Sequence, residues 1–255
     1  MKNKKSRIKN LFTTIYEEFL NTLKKPRRIL DILNKDSIHK YFYNLKSKLK
    51  FGDPWIYCSP NKTFRKRVYS TPEDYIKHQK SKQGRIDLSD YDLRYREVLR
   101  KRLENLDLLK QGMNALCLGA RIGTEVKSFL DLGCFAIGID LSPGENNRYV
   151  VYGDFHETQF SSNSIDIVFT NSLDHVLDIK NLINEIKRLL KPNGLLIIEA
   201  VIGSDEGRFP SFYESFWWSR VDDLVSLFEN SQFILIKRSS FDYPWDGEQL
   251  CFKKS

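Results

Sequence analysis

The sequence predicts an α/β fold: a doubly wound, mainly parallel sheet of seven strands behind an α-helical N-terminal extension. Three observations carry that prediction. From Asn114 onward, short apolar runs alternate with helical stripes, the succession expected of βα units. The chain closes on two apolar runs, FILIKR and QLCFKK, that suit a strand pair. The charge also divides. Residues 1–110 hold 28 Lys and Arg against 13 Asp and Glu, a net of +15, whereas residues 111–255 hold 13 against 20, a net of −7, within a total of +8.

The elements follow in order. Residues 1–24 place Ile8, Leu11, Phe12, Ile15, Phe19 and Leu23 near helical spacing, and Pro26 interrupts the pattern. A second helical pattern runs over 28–50. FGDPWIYCSP, residues 51–60, reads as loop because Gly52, Pro54 and Pro60 punctuate it. Thr71 is a candidate N-cap, with Pro72 suited to the first helical position and Glu73 and Asp74 in the first turn. A helix is expected from Ser89 through Leu93, Val98, Leu99 and Leu103 to about Leu109, closed by Gln111-Gly112. These signals divide the chain into a basic helical extension, 1–70, and a second domain, 71–255.

In the second domain the strand candidates are ALCLG, FAIGID, YVVYGD, IDIVFTN and LLIIEA, followed by the closing pair. Helices are expected from Thr124 to Leu130, Asn181 to Leu190 and Val221 to Phe228. The middle one carries Leu182, Ile183, Ile186, Leu189 and Leu190 on one side, and Lys191-Pro192-Asn193-Gly194 stops it. Right-handed crossovers put helices on both faces of such a sheet.

Composition excludes several classes. With 41% hydrophobic and 29% charged residues the chain is that of a soluble globular protein. No apolar run approaches the roughly 18 residues of a membrane span. The basic start is followed by Glu17 and Glu18, which argues against a secretory leader. Cys58, Cys117, Cys134 and Cys251 form no CxxC pair, so neither a zinc finger nor a disulfide framework is expected. No metal site is expected, and the expected setting is cytoplasmic. The basic first third is either a solvated arm or a contact for something anionic. RNA and an anionic membrane surface are the candidates for residues 1–70, the latter making the protein peripheral to a membrane.

Chemistry enters at the strand ends. CLGARIGTEV lies between a strand and a helix, where glycine permits close ligand approach and the helix start offers free N–H donors. Alone, with only Gly119 and Gly123, it marks either a nucleotide site or a tight turn. Asp140 ends the next run, about 20 residues further, where an acid binds ribose hydroxyls. Asp154 ends the third, where a carboxylate accepts from an exocyclic amino group and Phe155 flanks a purine.

Residues 114–200 resemble class I S-adenosylmethionine-dependent methyltransferases, in particular the type-11-like methyltransferase domain. The stretches that carry the resemblance are ALCLGARIGTEV, AIGIDL, VVYGDFHETQFSSNSIDIVFTNSLDHV and EIKRLLKPNGLLIIEA. It extends through the terminal strand pair and not into residues 1–70. It implies a Rossmann-like methyltransferase fold, S-adenosyl-L-methionine as cofactor and S-adenosyl-L-homocysteine as product. It also implies that Gly119, Ala120 and Gly123 cradle the methionyl part. Asp140 then holds the ribose, Leu141, Asp154 and Phe155 surround the adenine, and Asn171 and Ser172 line the pocket near the methyl group.

The sequence departs from the family where an acid usually precedes the loop, at Cys117, and at Arg121, where glycine is frequent. Glu125 is the candidate substitute for the missing acid, which holds the cofactor's ammonium group. Arg121 pairs with the cofactor carboxylate, reaches a substrate or is a surface arginine. His175 is the candidate general base, with Asp174 second, and the alternative for His175 is a packing role. Tyr91, Arg94 and Tyr95 are candidates to close over the cofactor. The aromatic run from Phe209 to Trp218 either stacks on an acceptor or fills a gap against the N-terminal helices. The expected function is O-methylation of a small molecule or glycan. RNA methylation and a non-catalytic cofactor-binding or interaction protein are the alternatives.

Overall fold

A computed structural model of the chain describes Tyr16 and residues 55–81, 89–211 and 213–255. The helical patterns over 1–24 and 28–50 lie outside the described residues, apart from Tyr16, which is helical and exposed. The chain order begins with β1 (Trp55–Tyr57), β2 (Phe64–Arg67), α1 (Pro72–Lys80) and α2 (Ser89–Glu104). There follow β3 (Asn114–Leu118), α3 (Thr124–Asp131), β4 (Phe135–Asp140), β5 (Val150–Tyr152) and β6 (Ile165–Thr170). A short 3-10 turn over Leu173–His175 leads to α4 (Ile179–Leu189) and β7 (Leu190–Val201). β8 (Phe216–Trp218), α5 (Val221–Glu229), β9 (Phe233–Phe241) and β10 (Gly247–Lys254) complete the series.

Among the described residues, 55–68 with Gly203–Arg220 form one compact unit, and Tyr69–Ile202 with Val221–Ser255 form another. The first unit holds a small antiparallel sheet in the order β1-β2-β8. Its first strand corrects an expectation. Residues 51–60 read as loop, yet Trp55, Ile56 and Tyr57 pair with Arg67, Lys66 and Arg65. Three residues of high β propensity outweigh the prolines that flank them. The aromatic run supplies β8, where Trp217 and Trp218 are each 1% exposed and Phe216 stacks on Phe64 at 5.5 Å. Arg67 ties the unit together, donating from Nε to the Glu214 carbonyl at 3.0 Å with its guanidinium 5.0 Å from the Trp55 ring.

The second unit carries the seven-stranded sheet, in the order β5-β4-β3-β6-β7-β10-β9. The five strands from β5 to β7 run parallel, and β10 lies antiparallel between β7 and β9. Every strand run expected in this part of the sequence is a strand of this sheet. The chain winds outward from β3 to β5, then returns to the other side of β3 with β6. The carboxyl ends of β3 and β6 therefore flank the switch point, where open α/β sheets bind ligands.

The central strands are mainly apolar because both faces are covered, with Asn114 and Asp166 near their starts and Thr170 at the end of β6. Tyr95, Leu99 and Leu103 on α2, Val126 and Phe129 on α3, and Ile167, Phe169 and Ile197 in the sheet form one cluster. Burying each large side chain of this kind contributes roughly 1.5–3 kcal/mol. On α4 the buried stripe is Leu182, Ile183, Ile186 and Leu189, as its spacing predicts. Asp178 caps that helix, three residues before the expected start at Asn181, by accepting from the Lys180 and Asn181 amides. Thr71 caps α1 as expected, accepting from the Asp74 amide at 3.2 Å.

The end of α2 differs from the sequence expectation. The helix stops at Glu104, and Asp107 adopts φ 55. Beyond it Leu106, Leu108 and Leu109 all reach the core. The left-handed Asp107 ends the helix, and the leucines beyond it reach the core from a non-helical segment. Gly112 then turns the chain toward β3, its amide donating to the Gly133 carbonyl at 2.8 Å. Among the described residues no helix is long and apolar enough to cross a membrane, and no three His, Cys, Asp or Glu residues gather to hold a metal ion.

Candidate functional site

The loop after β3 is pressed between β4 and the end of β6. The amides of Gly119 and Ala120 both donate to the Ile139 carbonyl, at 2.9 and 3.1 Å. Gly119 has φ 72, and a Cβ there would lie 2.7 Å from the Ser172 Cβ. Gly123 has φ 82, and its Cβ would lie 2.6 Å from that of Tyr149. Both positions need glycine, for conformation and for space. Between them Arg121 sits at φ 40, a left-handed conformation that costs a side-chain-bearing residue roughly 1–2 kcal/mol. Its amide in return donates to Asp140 Oδ2 at 3.0 Å.

Asp140 ends β4 with both carboxylate oxygens engaged by main chain, Oδ1 accepting from the Ser142 amide at 2.7 Å. Each oxygen keeps a second lone pair for a ligand. Leu141 beside it is buried. Past β5, Asp154 Oδ1 accepts from the His156 amide at 2.9 Å and from His156 Nδ1 at 2.6 Å. Burial pushes the Asp154 carboxyl up, and the His156 hydrogen bonds outweigh it and hold the group below the usual carboxylate range. Phe155 is buried, with its ring edge 3.7 Å from the point a Gly119 Cβ would occupy. Gly119, Ser172 and Phe155 thus meet at one point.

Glu125 stands in the first turn of α3, 5% exposed. Asn171 donates from Nδ2 to Glu125 Oε1 at 2.7 Å and to the Tyr95 hydroxyl at 3.1 Å. Tyr95 donates to Glu199 Oε2 at 2.6 Å, and Arg102 and Gln249 donate to Glu199 Oε1 at 3.0 and 3.1 Å. Burial raises the Glu125 carboxyl to about 7, against the pull of its own amide, Asn171 and the Arg121 charge. The same burial pushes the Cys117 thiol far up, and the neighbouring Glu125 charge pushes it further.

The 3-10 turn after β6 holds Asp174 and His175. Their closest approach is 3.9 Å, from His175 Nε2 to Asp174 Oδ1, which is beyond a hydrogen bond. The His175 amide donates to the Ser172 carbonyl at 3.0 Å, which joins the turn to the glycine loop's neighbour. Tyr75 of α1 donates its hydroxyl to the His175 carbonyl, also at 3.0 Å. Burial pushes the Tyr75 hydroxyl far above the tyrosine range, followed by the charge of Asp154 and, more weakly, that of Asp140.

Two participants, Tyr75 and Glu199, escaped sequence reasoning, and a third, His156, reads from the sequence as structural or exposed. Tyr75 has no signal beyond its place in a capped helix. His156 sits two residues past an aspartate, a common Asx-turn spacing. Glu199 is an acid inside the apolar run LLIIEA, and a buried acid requires partners that its neighbours in sequence do not supply. Conversely, Tyr95 is fully buried in the core, and Arg94 lies with its guanidinium 4.2 Å from the Tyr243 ring.

Comparison with known proteins bears on the fold and the family. Residues 116–198 match the family model described as a methyltransferase domain. A Burkholderia thailandensis 1,6-didemethyltoxoflavin-N1-methyltransferase, bound to 1,6-didemethyltoxoflavin and S-adenosylhomocysteine, is similar at a TM-score of 0.57 and 16% identity, over 79% of this chain and 99% of that one. The PH0226 protein of Pyrococcus horikoshii is similar at 0.52 and 17% identity, over 66% and 94% of the two chains. A SAM-dependent methyltransferase of Aquifex aeolicus is similar at 0.51 and 15% identity, over 61% and 89%. No curated protein matches the sequence. The sheet is the Rossmann-like fold of class I methyltransferases, and the domain implies S-adenosyl-L-methionine as its cofactor.

Proposed function

We propose that this chain, which carries a class I S-adenosylmethionine-dependent methyltransferase domain over residues 116–198, transfers a methyl group to an oxygen of a small molecule or glycan. The observation that carries the proposal is the convergence of the glycine loop, Asp140, Asp154-Phe155 and Asn171-Ser172 at the carboxyl ends of four parallel strands. The residues fit the cofactor. Glu125 is a buried carboxylate to which Asn171 alone donates among the side chains of the described residues, and an ammonium group supplies the partner it needs.

When bound, the cofactor supplies an electrophilic methyl group on a sulfonium. Gly119, Ala120 and Gly123 leave room for its methionyl part, and Arg121 offers a cation to its carboxylate. Asp140 accepts from the ribose hydroxyls, Leu141 and Phe155 enclose the adenine, and Asp154 accepts from its amino group. Asn171 and Ser172 line the side toward the methyl group. The pocket side lined by Asn171 and Ser172 would hold an acceptor oxygen next to that methyl group, so the chain's contribution would be to position the two. His175 takes the acceptor's proton, and Asp174 stabilises the imidazolium. Radiolabelled methyl transfer into fractionated small molecules and glycans tests the acceptor class, with His175→Gln expected to lower kcat at least 100-fold. Label appearing in RNA alone would overturn it. The +15 charge of residues 1–110 favours that second acceptor class, and steeply salt-dependent tRNA binding is its signature.

A further inference from the structure

We infer that His156 sets the nucleobase specificity of the crevice, by fixing Asp154 so that one carboxylate oxygen is committed to the protein and the other is presented to an exocyclic amino group. The inference rests on the cofactor reading above and goes beyond it in assigning how the base is recognised.

Asp154 Oδ1 receives both His156 donors, the amide at 2.9 Å and Nδ1 at 2.6 Å. Among the described residues no side chain donates to Oδ2, and the Asp154 side chain is 45% exposed. The imidazole is held at its far end as well. Its Nε2 accepts from the Leu177 amide at 3.3 Å and the Asp178 amide at 3.2 Å. Two N–H donors at Nε2 make that nitrogen the acceptor and Nδ1 the donor to Asp154. His156 is therefore anchored to the start of α4, where Asp178 itself caps the helix. The loop is fastened once more at Thr158, whose amide and hydroxyl donate to Glu185 Oε1 at 2.8 and 2.6 Å. Asp154 has little freedom to rotate, and Oδ2 is an acceptor that cannot become a donor while the group stays ionised.

Such an oxygen separates adenine-type from hypoxanthine-type bases. A 6-amino group donates to it, whereas a 6-oxo group meets it oxygen to oxygen, and specificity follows from the repulsion as much as from the bond. His156 acts through Asp154 and is a positioning residue. The test is calorimetric binding of S-adenosyl-L-homocysteine and S-inosyl-L-homocysteine to the full chain. The wild type is expected to prefer the adenosyl compound about 10- to 100-fold, the range of a hydrogen bond to a charged group. His156→Phe keeps an aromatic ring but removes both nitrogens, and is expected to bring the preference within about threefold, given the loss of one oriented charged hydrogen bond. His156→Asn keeps a donor near Nδ1 but loses the Leu177 and Asp178 contacts, and is expected to fall between. Asp154→Asn is expected to reverse the preference, because its amide donates to a 6-oxo group.

A preference unchanged in both His156 variants, with the two affinities falling in parallel, would reduce His156 to a structural role and overturn the inference alone. If the Phe variant does not fold, the Asn variant decides by the same criterion. A folded wild type that binds neither compound would overturn the cofactor reading together with this one.

Discussion

Replacing Glu125 by glutamine should make the free protein more stable and the cofactor complex weaker. Glu125 is 5% exposed, and burial raises its carboxyl to about 7 from an ordinary 4.5. The groups that face it are Arg121, which pulls it down, Glu199, which pushes it up, Asn171, which donates to it, and Tyr91 and Tyr95, which burial keeps neutral. Between pH 4.5 and about 7 the native chain thus binds more protons than the unfolded one. Stability accordingly falls as pH rises through that window, and the deficit is complete above it. The difference corresponds to about 3 kcal/mol. Glu125→Gln keeps the volume and an acceptor for Asn171, so urea unfolding at pH 8 should show a gain of up to about 3 kcal/mol that vanishes near pH 4. Its affinity for S-adenosyl-L-homocysteine at pH 8 should fall about 10- to 100-fold. Wild-type affinity should rise with pH up to about 7, by as much as tenfold per unit, while the variant stays flat. Equal stability of the two proteins at pH 8 would refute the buried charge, and equal affinity would refute its role toward the ammonium group.

Other expectations follow from the same geometry. Gly119→Ala drives a Cβ to 2.7 Å from that of Ser172 at φ 72, and should cost about 1–3 kcal/mol in thermal unfolding together with most cofactor affinity. Gly112→Ala is its control: φ is 80 but no atom lies within 4 Å, so stability should fall by about 1 kcal/mol with affinity intact. Tyr95→Phe removes the donor to Glu199 Oε2 and one of the two acceptors of Asn171 Nδ2, and should cost about 1–3 kcal/mol by denaturant unfolding. Cys117→Asp alone places a second buried acid beside Glu125 and should destabilise. In the Glu125→Gln background the same change should recover cofactor affinity, measured by calorimetry.

The parts of the molecule legible in its sequence are those governed by local pattern. Runs such as LLIIEA and IDIVFT are apolar because parallel strands are buried on both faces, and they became strands where expected. Thr71-Pro72 marked a helix start because capping is a contact between residues three apart. The end of α2 was hidden because Leu106 and Leu109 continue a helical spacing, and only the core they fill shows that the helix has stopped. The strand-end residues of the site were legible because chain order places them at one edge of the sheet. The bonds that hold them were not. Tyr95 and Glu199 are 104 residues apart, and His156 reaches 22 residues ahead to Asp178. Contacts of that kind depend on the folded topology, which local periodicity does not encode.

The central claim is that these strand ends bind S-adenosylmethionine. Calorimetry with S-adenosyl-L-methionine and S-adenosyl-L-homocysteine, on the wild type and Asp140→Ala, tests it most directly. The account predicts binding on the order of micromolar by the wild type, weakened at least tenfold in the variant, since a carboxylate that holds ribose hydroxyls is worth at least one charged hydrogen bond. A well-folded wild type that binds neither compound, or a variant that binds both as tightly as the wild type, would contradict it.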